Sequence, residues 1–351
     1  MLNRIVDAVR TGLPESTPPQ AAAALTPPHS AVVLGSRWEG RVVYALFAPR
    51  GRVPAVVVKA DTHPDYQPRL YQEHDALVRV AANPAMAGLA PLPLGVHRCG
   101  DTVAMAQTAL PGTPLNVVLR RRFRQSRRLS ARDHARALAW LNTFHSSASE
   151  ETATVGPKVV LERLAQVLPG GAPGAEELTR WMTRRGSDLG ALTVPVRPLH
   201  GDLAPSNCFV HRGRVRVVDW EGAVAQGPPL AEVLVFLNHY ARAIPGPDSR
   251  LRDPQERFLE AFSGQGWLNE LTWNTWRRQL RALGLPDEAA EYLFVATLAE
   301  LAAGQAPTAH AKRSGSRRNW SGLLALYAEQ RQTASGETAS HGGARVPAAA
   351  P

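Results

Sequence analysis

Between residues 31 and 60 the apolar positions fall into short Val-rich runs, AVVLGS, RVVYALF and AVVVKA, separated by RWEG and PRGRVP. β-Branched runs of this length bounded by Gly and Pro predict strands, and the tight spacing predicts an antiparallel meander. The texture then changes. RLYQEHDALVRVAAN reads as a helix, VAMAQTALPGTPL as a further strand and turn, and from Ser130 onward the chain is mostly helical. In SARDHARALAWLNTFHSS, Leu138, Leu141 and Phe144 recur every three residues on one face, and Ser130 with Asp133 has the spacing of a capping box. VVLERLAQVL, EELTRWMTRR, QERFLEAF, WNTWRRQLRAL and DEAAEYLFVATLAELAAG predict further helices. Strands first and helices afterwards predict an α+β chain, with a small β-rich lobe over 31–108 and a larger helical lobe over 109–332.

The two ends read differently. Residues 1–30 contain STPPQ and TPPHS, poor material for regular structure, and predict a flexible N-terminal arm. TASGETASHGGARVPAAAP, residues 333–351, lacks large apolar side chains and predicts a disordered tail.

Composition narrows the classes. A chain of 351 residues has room for one large core or two lobes, and 44% hydrophobic with 20% charged residues is an ordinary soluble balance. No apolar run approaches the roughly 18 residues of a membrane span. The N-terminus has no secretory pattern, and only Cys99 and Cys208 occur, too few for a disulfide framework. These features predict a cytoplasmic protein.

The net charge of +10, from 40 Lys+Arg against 30 Asp+Glu, suits anionic partners. It gathers in RRRFRQSRR (Arg120 to Arg128) and KRSGSRRNW (Lys312 to Trp320), which read either as solvated stretches or as a hold on an anion. Phe123 is the one aromatic within the first run, and no nucleic-acid motif accompanies it, so nucleic acid is not the expected partner. Nothing in the pattern addresses oligomeric state.

Candidate chemistry concentrates in LHGDLAPSNCFVHRGRVRVVDWEG, Leu199 to Gly222. NCFV reads as a strand, HRGR as a turn at Gly213 and VRVVDW as the returning strand. Such a hairpin sets Asn207 and Asp219 at neighbouring strand ends, with Asp202 on the entering loop. Two oxygen ligands beside a third acid suit Mg²⁺, a hard cation that completes its shell with phosphate oxygens and water. Asp202 would orient an attacking hydroxyl and accept its proton. Singly, these residues read as a turn residue, a cap and a strand-ending acid; their joint spacing on a strand–turn–strand pattern reads as catalytic. His200 reads as an orienting residue of the loop, and Cys208 as a small buried filler. Lys59 ends the apolar AVVVKAD, where an unpaired ammonium is expensive.

The run HGD-x4-N followed by DWE resembles the aminoglycoside phosphotransferase / choline kinase-like family, within the protein-kinase-like superfamily. The resemblance implies the two-lobe protein-kinase-like fold and a phosphotransferase with an alcohol group as acceptor. Such an enzyme moves the γ-phosphoryl of ATP or GTP to a hydroxyl of a small molecule, a sugar or an amino alcohol, with Mg²⁺. It implies Asp202 as base, Asn207 and Asp219 as metal ligands, and Lys59 on the nucleotide phosphates. Glu73, fourteen residues after Lys59, would fix that lysine, with Asp75 as the alternative partner. Backbone groups at Gln107 and Thr108 would read the purine edge, with Met105 near the back of the pocket.

Two departures accompany the resemblance. LGSRWEGR offers Gly35 and Gly40 but no G-x-G-x-x-G, leaving Ser36 and Arg37 as candidate phosphate contacts. Glu232 stands where the family commonly has Asp. The resemblance also implies that helices between His145 and Arg197 and those after Asn238 wall the acceptor pocket, but their residues spell no substrate code. An aminoglycoside pocket should be acidic, whereas this chain is basic, which disfavours that acceptor; the DWE…GPPL…FL stretch resembles phosphotransferases found with glycan and exopolysaccharide enzymes, so a sugar hydroxyl leads and choline-like or homoserine-like acceptors stay open. The competing reading is a catalytically silent kinase-like module whose Arg clusters hold an anionic partner. Intact Lys59, Asp202, Asn207 and Asp219 speak against it.

Overall fold

Five strands, β1 (Ser30–Ser36), β2 (Arg41–Phe47), β3 (Val56–Asp61), β4 (Pro93–Cys99) and β5 (Thr102–Thr108), pair antiparallel in the order β1-β2-β3-β5-β4. The first three form the meander that the Val-rich runs predict. Alternation along a strand sends successive side chains to opposite faces. Val56, Val58 and Ala60 of β3 therefore join Ala104 and Ala106 of β5 in one apolar cluster. Val57, Lys59 and Asp61 point the other way. In this computed structural model the described residues are 1–36, 40–122, 125–146, 151–168, 170–245, 251–304 and 320–341.

The expected flexible arm is instead structured. Helices α1 (Leu2–Thr11) and α2 (Pro19–Ala24) lie in the cluster that covers the Val56 face, with Ile5, Val6, Val9, Ala21, Ala24 and Leu25 buried. Leu2, Ile5, Val6 and Val9 follow the i, i+3, i+4, i+7 spacing of an amphipathic helix. The prolines punctuate these helices without preventing them: Pro19 opens α2, where a missing N–H costs nothing. On the opposite face α3 (Gln67–Ala81) packs against β4 and β5, burying Leu70, Glu73, Leu77 and Val80.

Further along come β6 (Thr113–Pro114), α4 (Leu115–Arg121) and α5 (Arg127–His145). The predicted capping box does not form. Ser126 caps α5, its hydroxyl accepting from Leu129 N–H at 3.4 Å, so the helix starts a turn early. Ser130 and Asp133 thereby fall inside it. The Ser130 hydroxyl accepts from Gln125 Nε2 at 2.6 Å, and Asp133 takes a two-pronged bond from Arg122 at 2.5 and 3.0 Å. Arg120, Arg121, Arg127 and Arg128 are exposed, as a solvated face requires, while Phe123 and Arg124 lie outside the described residues.

Beyond these, β9 (Arg197–Leu199) pairs with β12 (Val224–Gly227), and β10 (Cys208–His211) with β11 (Arg214–Val217) on one side and β6 on the other. All the elements so far belong to one of two units into which the chain divides, Met1–Ser149 with Arg197–Gly227. The β-rich unit therefore keeps α4, α5 and the β10–β11 hairpin in addition to residues 31–108.

The second unit, Glu150–Val196 with Pro228–Pro351, is mainly helical. It contains β7 (Thr152–Val155) paired with β8 (Leu192–Pro195), then α6 (Pro157–Val167) and α7 (Ala175–Leu189). After them come α8 (Pro229–Ala243), α9 (Pro254–Phe262), α10 (Trp267–Ala282), α11 (Ala290–Ala303) and α12 (Trp320–His341). Helix α8 is buried on nearly every side, because LAEVLVFL has no polar face to present to water. Aromatic rings fill the centre: Phe262 and Phe294 lie 5.0 Å apart, with Phe258 and Tyr327 at similar spacing. Helix α12 continues to His341, so the backbone is helical where the tail was expected to be disordered from Thr333. Residues 342–351 and 305–319, which include most of the second basic run, lie outside the described residues. Among the described residues no helix is long and apolar enough to cross a membrane.

Candidate active site

Lys59 stands on the face of β3 turned away from α1 and α2. Its ammonium reaches both carboxylate oxygens of Glu73 at 2.7 Å and Asp219 Oδ1 at 2.6 Å. Glu73 comes from the buried face of α3, one turn ahead of Leu77, and is fully buried. It also accepts the Trp220 N–H at 3.2 Å, so one carboxylate holds both the lysine and the residue after Asp219. Asp75 takes no part; its carboxylate is exposed and lies beside His74. Burial works against the Lys59 ammonium, but Glu73 and Asp219 more than offset it and hold its pKa above the ordinary value. Burial lifts the Glu73 carboxyl above its usual range, against the pull of Lys59.

Asp219 leaves β11 in a left-handed conformation with φ of 70°, uncommon for a residue with a Cβ and tolerated by Asp. The turn it makes aims its carboxylate at Lys59. Trp220 then wedges beneath the loop, its indole N–H donating to Val217 O at 3.1 Å and its ring meeting His200, Phe144 and Trp140 at 4.7, 5.3 and 5.9 Å.

The β10–β11 register pairs Cys208 with Val217, and Val218 N–H donates to Asn207 O at 3.0 Å, so Asn207 and Asp219 flank the open end of one hairpin. Asn207 Nδ2 donates to Asp202 O at 2.9 Å, which fixes the amide and ties it to the loop. The loop is tight: Ala204 N–H bonds Asp202 O at 2.7 Å and Asn207 N–H bonds Ala204 O at 2.9 Å. His200, fully buried, accepts the Asp202 N–H on Nδ1 at 3.2 Å, leaving Nε2 to donate to Val218 O at 3.1 Å. It thus straps the Asp202 loop to the strand that delivers Asp219. Gly201 is required here; with φ of 80°, a Cβ would lie 2.0 Å from Gly222 O.

The purine-facing expectations divide. Lys59 and Met105 are register partners, so buried Met105 stands beside the lysine on the same face. Gln107 lies two residues on, buried, and among the described residues its Oε1 has no hydrogen-bond partner. Thr108 is spent within the sheet edge: its N–H donates to Leu92 O at 2.9 Å and its hydroxyl accepts from Leu92 N–H at 2.8 Å. Its N–H is therefore engaged and not free to read a purine. Ser36 ends β1, and Arg37 lies outside the described residues. Glu232 is buried in the first turn of α8, and Cys208 is fully buried at the start of β10.

One cluster escaped the sequence reading. Arg41, buried at the start of β2, donates to Asp61 at 3.1 Å across the β2–β3 pair and to Glu221 at 2.5 Å. The Glu221 contact spans 180 residues, and no short motif announces it. The only signal was an Arg and an Asp closing two Val-rich strands at paired positions. Together with Lys59–Glu73–Trp220 it fastens the Asp219–Glu221 segment to the sheet at two points.

The family model described as the phosphotransferase enzyme family matches residues 30–273, more than half of the 351. No curated protein matches the chain. Among solved structures, a thermostable mutant of aminoglycoside phosphotransferase APH(4)-Ia in its apo form is 14% identical, with a TM-score of 0.48 over 87% of this chain and 95% of that one. Aminoglycoside phosphotransferase APH(3'')-Id from Streptomyces rimosus is 14% identical, TM-score 0.40, over 94% and 98%. Amicoumacin kinase hAmiN, solved with AMP-PNP, Ca²⁺ and Ami, is 14% identical, TM-score 0.42, over 86% and 88%. With its match running from the first strand of the sheet through the Asp202–Asp219 segment and into α10, the chain belongs to the phosphotransferase enzyme family.

Proposed function

We propose that the chain transfers the γ-phosphoryl group of ATP or GTP to a hydroxyl of a small sugar in the cytoplasm, with Mg²⁺ as cofactor and amino alcohols as the other acceptor class. The carrying observation is the buried Lys59 ammonium gripped by Glu73 and Asp219 on the face that also bears Met105 and Gln107. A buried ion triad of this kind is weak evidence for stability and strong motivation for a role. Asn207 and Asp219 present an amide oxygen and a carboxylate, the hard donors that suit Mg²⁺. Among the described residues no three His, Cys, Asp or Glu side chains form a metal cage. A cation here would draw its remaining ligands from phosphate oxygens and water. Once bound, it supplies positive charge against the negative charge carried by the phosphate oxygens.

The residues of the chain divide the remaining work. Lys59, kept charged by Glu73, holds phosphate oxygens. Asp202 orients the acceptor hydroxyl and takes its proton as the new O–P bond forms and the bond to the β-phosphate oxygen breaks, releasing the nucleoside diphosphate. His200 and Asn207, bonded to the Asp202 backbone, position that loop. Positioning and electrostatics carry the rate. The surplus of positive charge favours a neutral or anionic acceptor over a polycation, which places sugars ahead of aminoglycosides.

The test is a thermal-shift titration with ATP and with GTP, with and without Mg²⁺, followed by a screen of sugars and amino alcohols as phosphoryl acceptors. A Mg²⁺-dependent rise in Tm that is lost in Asp219→Ala is expected, because binding to the native state stabilises it by mass action. Asp202→Ala should keep that shift and lose about 10²–10⁴-fold in turnover. No shift with either nucleotide at millimolar concentration would overturn the reading in favour of a silent kinase-like module.

A further inference from the structure

The β10–β11 hairpin has a second end. At its turn, away from Asn207 and Asp219, it meets the outer face of α5 around a pocket of about 270 Å³. Leu89, Trp140 and Val215 give the pocket an apolar floor, and Arg132, Arg136 and Arg214 form its rim. The Trp140 indole N–H is spent on Leu89 O at 3.2 Å, so the floor asks for no hydrogen bond. Arg136 leans over the turn: an ideal Cβ on Gly213 would lie 3.9 Å from its Nη2.

Positive charge is crowded here and poorly answered. Arg212 stands two residues before Arg214 at the hairpin turn and is exposed, adding a further positive charge beside the rim. Among the described residues, Asp133 lies 3.7 Å from Arg136 of the rim and is already gripped twice by Arg122. Guanidinium groups recognise phosphate through paired, charge-assisted bonds.

We propose that this pocket is an accessory site for a phosphate monoester with a compact apolar or aromatic body. The phosphate meets Arg132, Arg136 and Arg214, and the body rests on Trp140, Leu89 and Val215. This site is separate from the Lys59 cluster and stands whether or not the chain uses ATP.

Isothermal titration of the full chain with phenyl phosphate tests the proposal, comparing wild type with Arg132→Ser/Arg214→Ser and with Trp140→Leu. Saturable binding that the double serine variant weakens at least tenfold, with an unchanged circular dichroism spectrum, is the expected result. Trp140→Leu should weaken phenyl phosphate while leaving inorganic phosphate unaffected. Sedimentation with phosphatidic acid and phosphatidylcholine vesicles separates the two sources of the ester. Selective pelleting with phosphatidic acid that the serine variant loses assigns it to a lipid headgroup; no pelleting assigns it to a free metabolite. Equal affinity in wild type and serine variant overturns the proposal, as does no binding in wild type at millimolar phenyl phosphate. Binding of a short DNA single strand without saturable phenyl phosphate binding would replace it with a polynucleotide surface.

Discussion

The two units stabilise their interiors with different chemistry. The β-rich unit takes charge inside: Arg41, Lys59, Asp61, Glu73 and Asp133 are all buried, and each is tied to an opposite charge. The helical unit buries fewer charges, Glu232 and Arg257, fills its centre with rings, Phe258, Phe262, Trp276 and Phe294 among them, and leaves ion pairs such as Arg163–Glu300 half in water. Rings buried against rings gain from area and contact. Buried charges gain little net stability after desolvation, and their retention marks the unit where chemistry is expected.

The sharpest way to break this contrast is one deletion on each side. Glu73→Ala leaves the buried Lys59 ammonium with Asp219 alone and the Trp220 N–H without its acceptor, and should cost about 3–5 kcal/mol in urea unfolding. Phe294→Ala should cost a similar 3–5 kcal/mol by leaving a cavity. The discriminating readout is repair. Lys59→Met placed on Glu73→Ala should recover part of the loss, because the buried ammonium that has lost its main partner is gone. No single partner should rescue Phe294→Ala, and rescue in both or in neither would abolish the distinction.

Acid should also separate the units. His134 and His145 sit on α5 of the β-rich unit, where burial pushes their pKa values down to about 3 and about 4. An unfolded chain protonates both near pH 6.5, whereas the folded one refuses the protons. Stability is therefore retained above pH 6.5 and lost as pH falls toward 4, by at most about 1.4 kcal/mol per unit per histidine. Unfolding midpoints measured from pH 7 to 4.5 should fall steadily, and His145→Gln should make the decline shallower. A flat profile would show that these rings protonate in place. The smallest effect belongs to the surface: Arg163→Ala, in a pair with both side chains over two-fifths exposed, should change stability by less than about 1 kcal/mol.

Legibility followed the range of the interaction. The Val-rich meander declared itself because strand period and turn residues are local, and the HGD-x4-N…DWE run because its whole hairpin fits in a short stretch. Helix α8 was missed for the opposite reason: a helix apolar all round has no period to detect. The capping box at Ser130 was a true spacing in the wrong place, since Ser126 offered an equivalent cap one turn earlier. Arg41–Glu221 was invisible because 180 residues separate its partners. At Thr108 the sequence says that a strand ends but not which neighbour takes the last N–H, and Leu92 takes it.

Helices α1 and α2 have a practical meaning for anyone handling the protein. The family match starts at residue 30, immediately after them, and invites trimming at that point. Such a cut would bare the sheet face formed by Val56, Val58, Ala104 and Ala106, which Ile5, Val6 and Val9 now shelter. Each of those three side chains is worth about 1.5–3 kcal/mol when removed from water. A sticky β surface beside an edge strand whose Val32, Val33 and Leu34 are already exposed would favour chain-to-chain association. Light scattering of a chain starting at Ser30 should reveal aggregates where the full chain stays dispersed, so purification yield depends on a segment the family match leaves out.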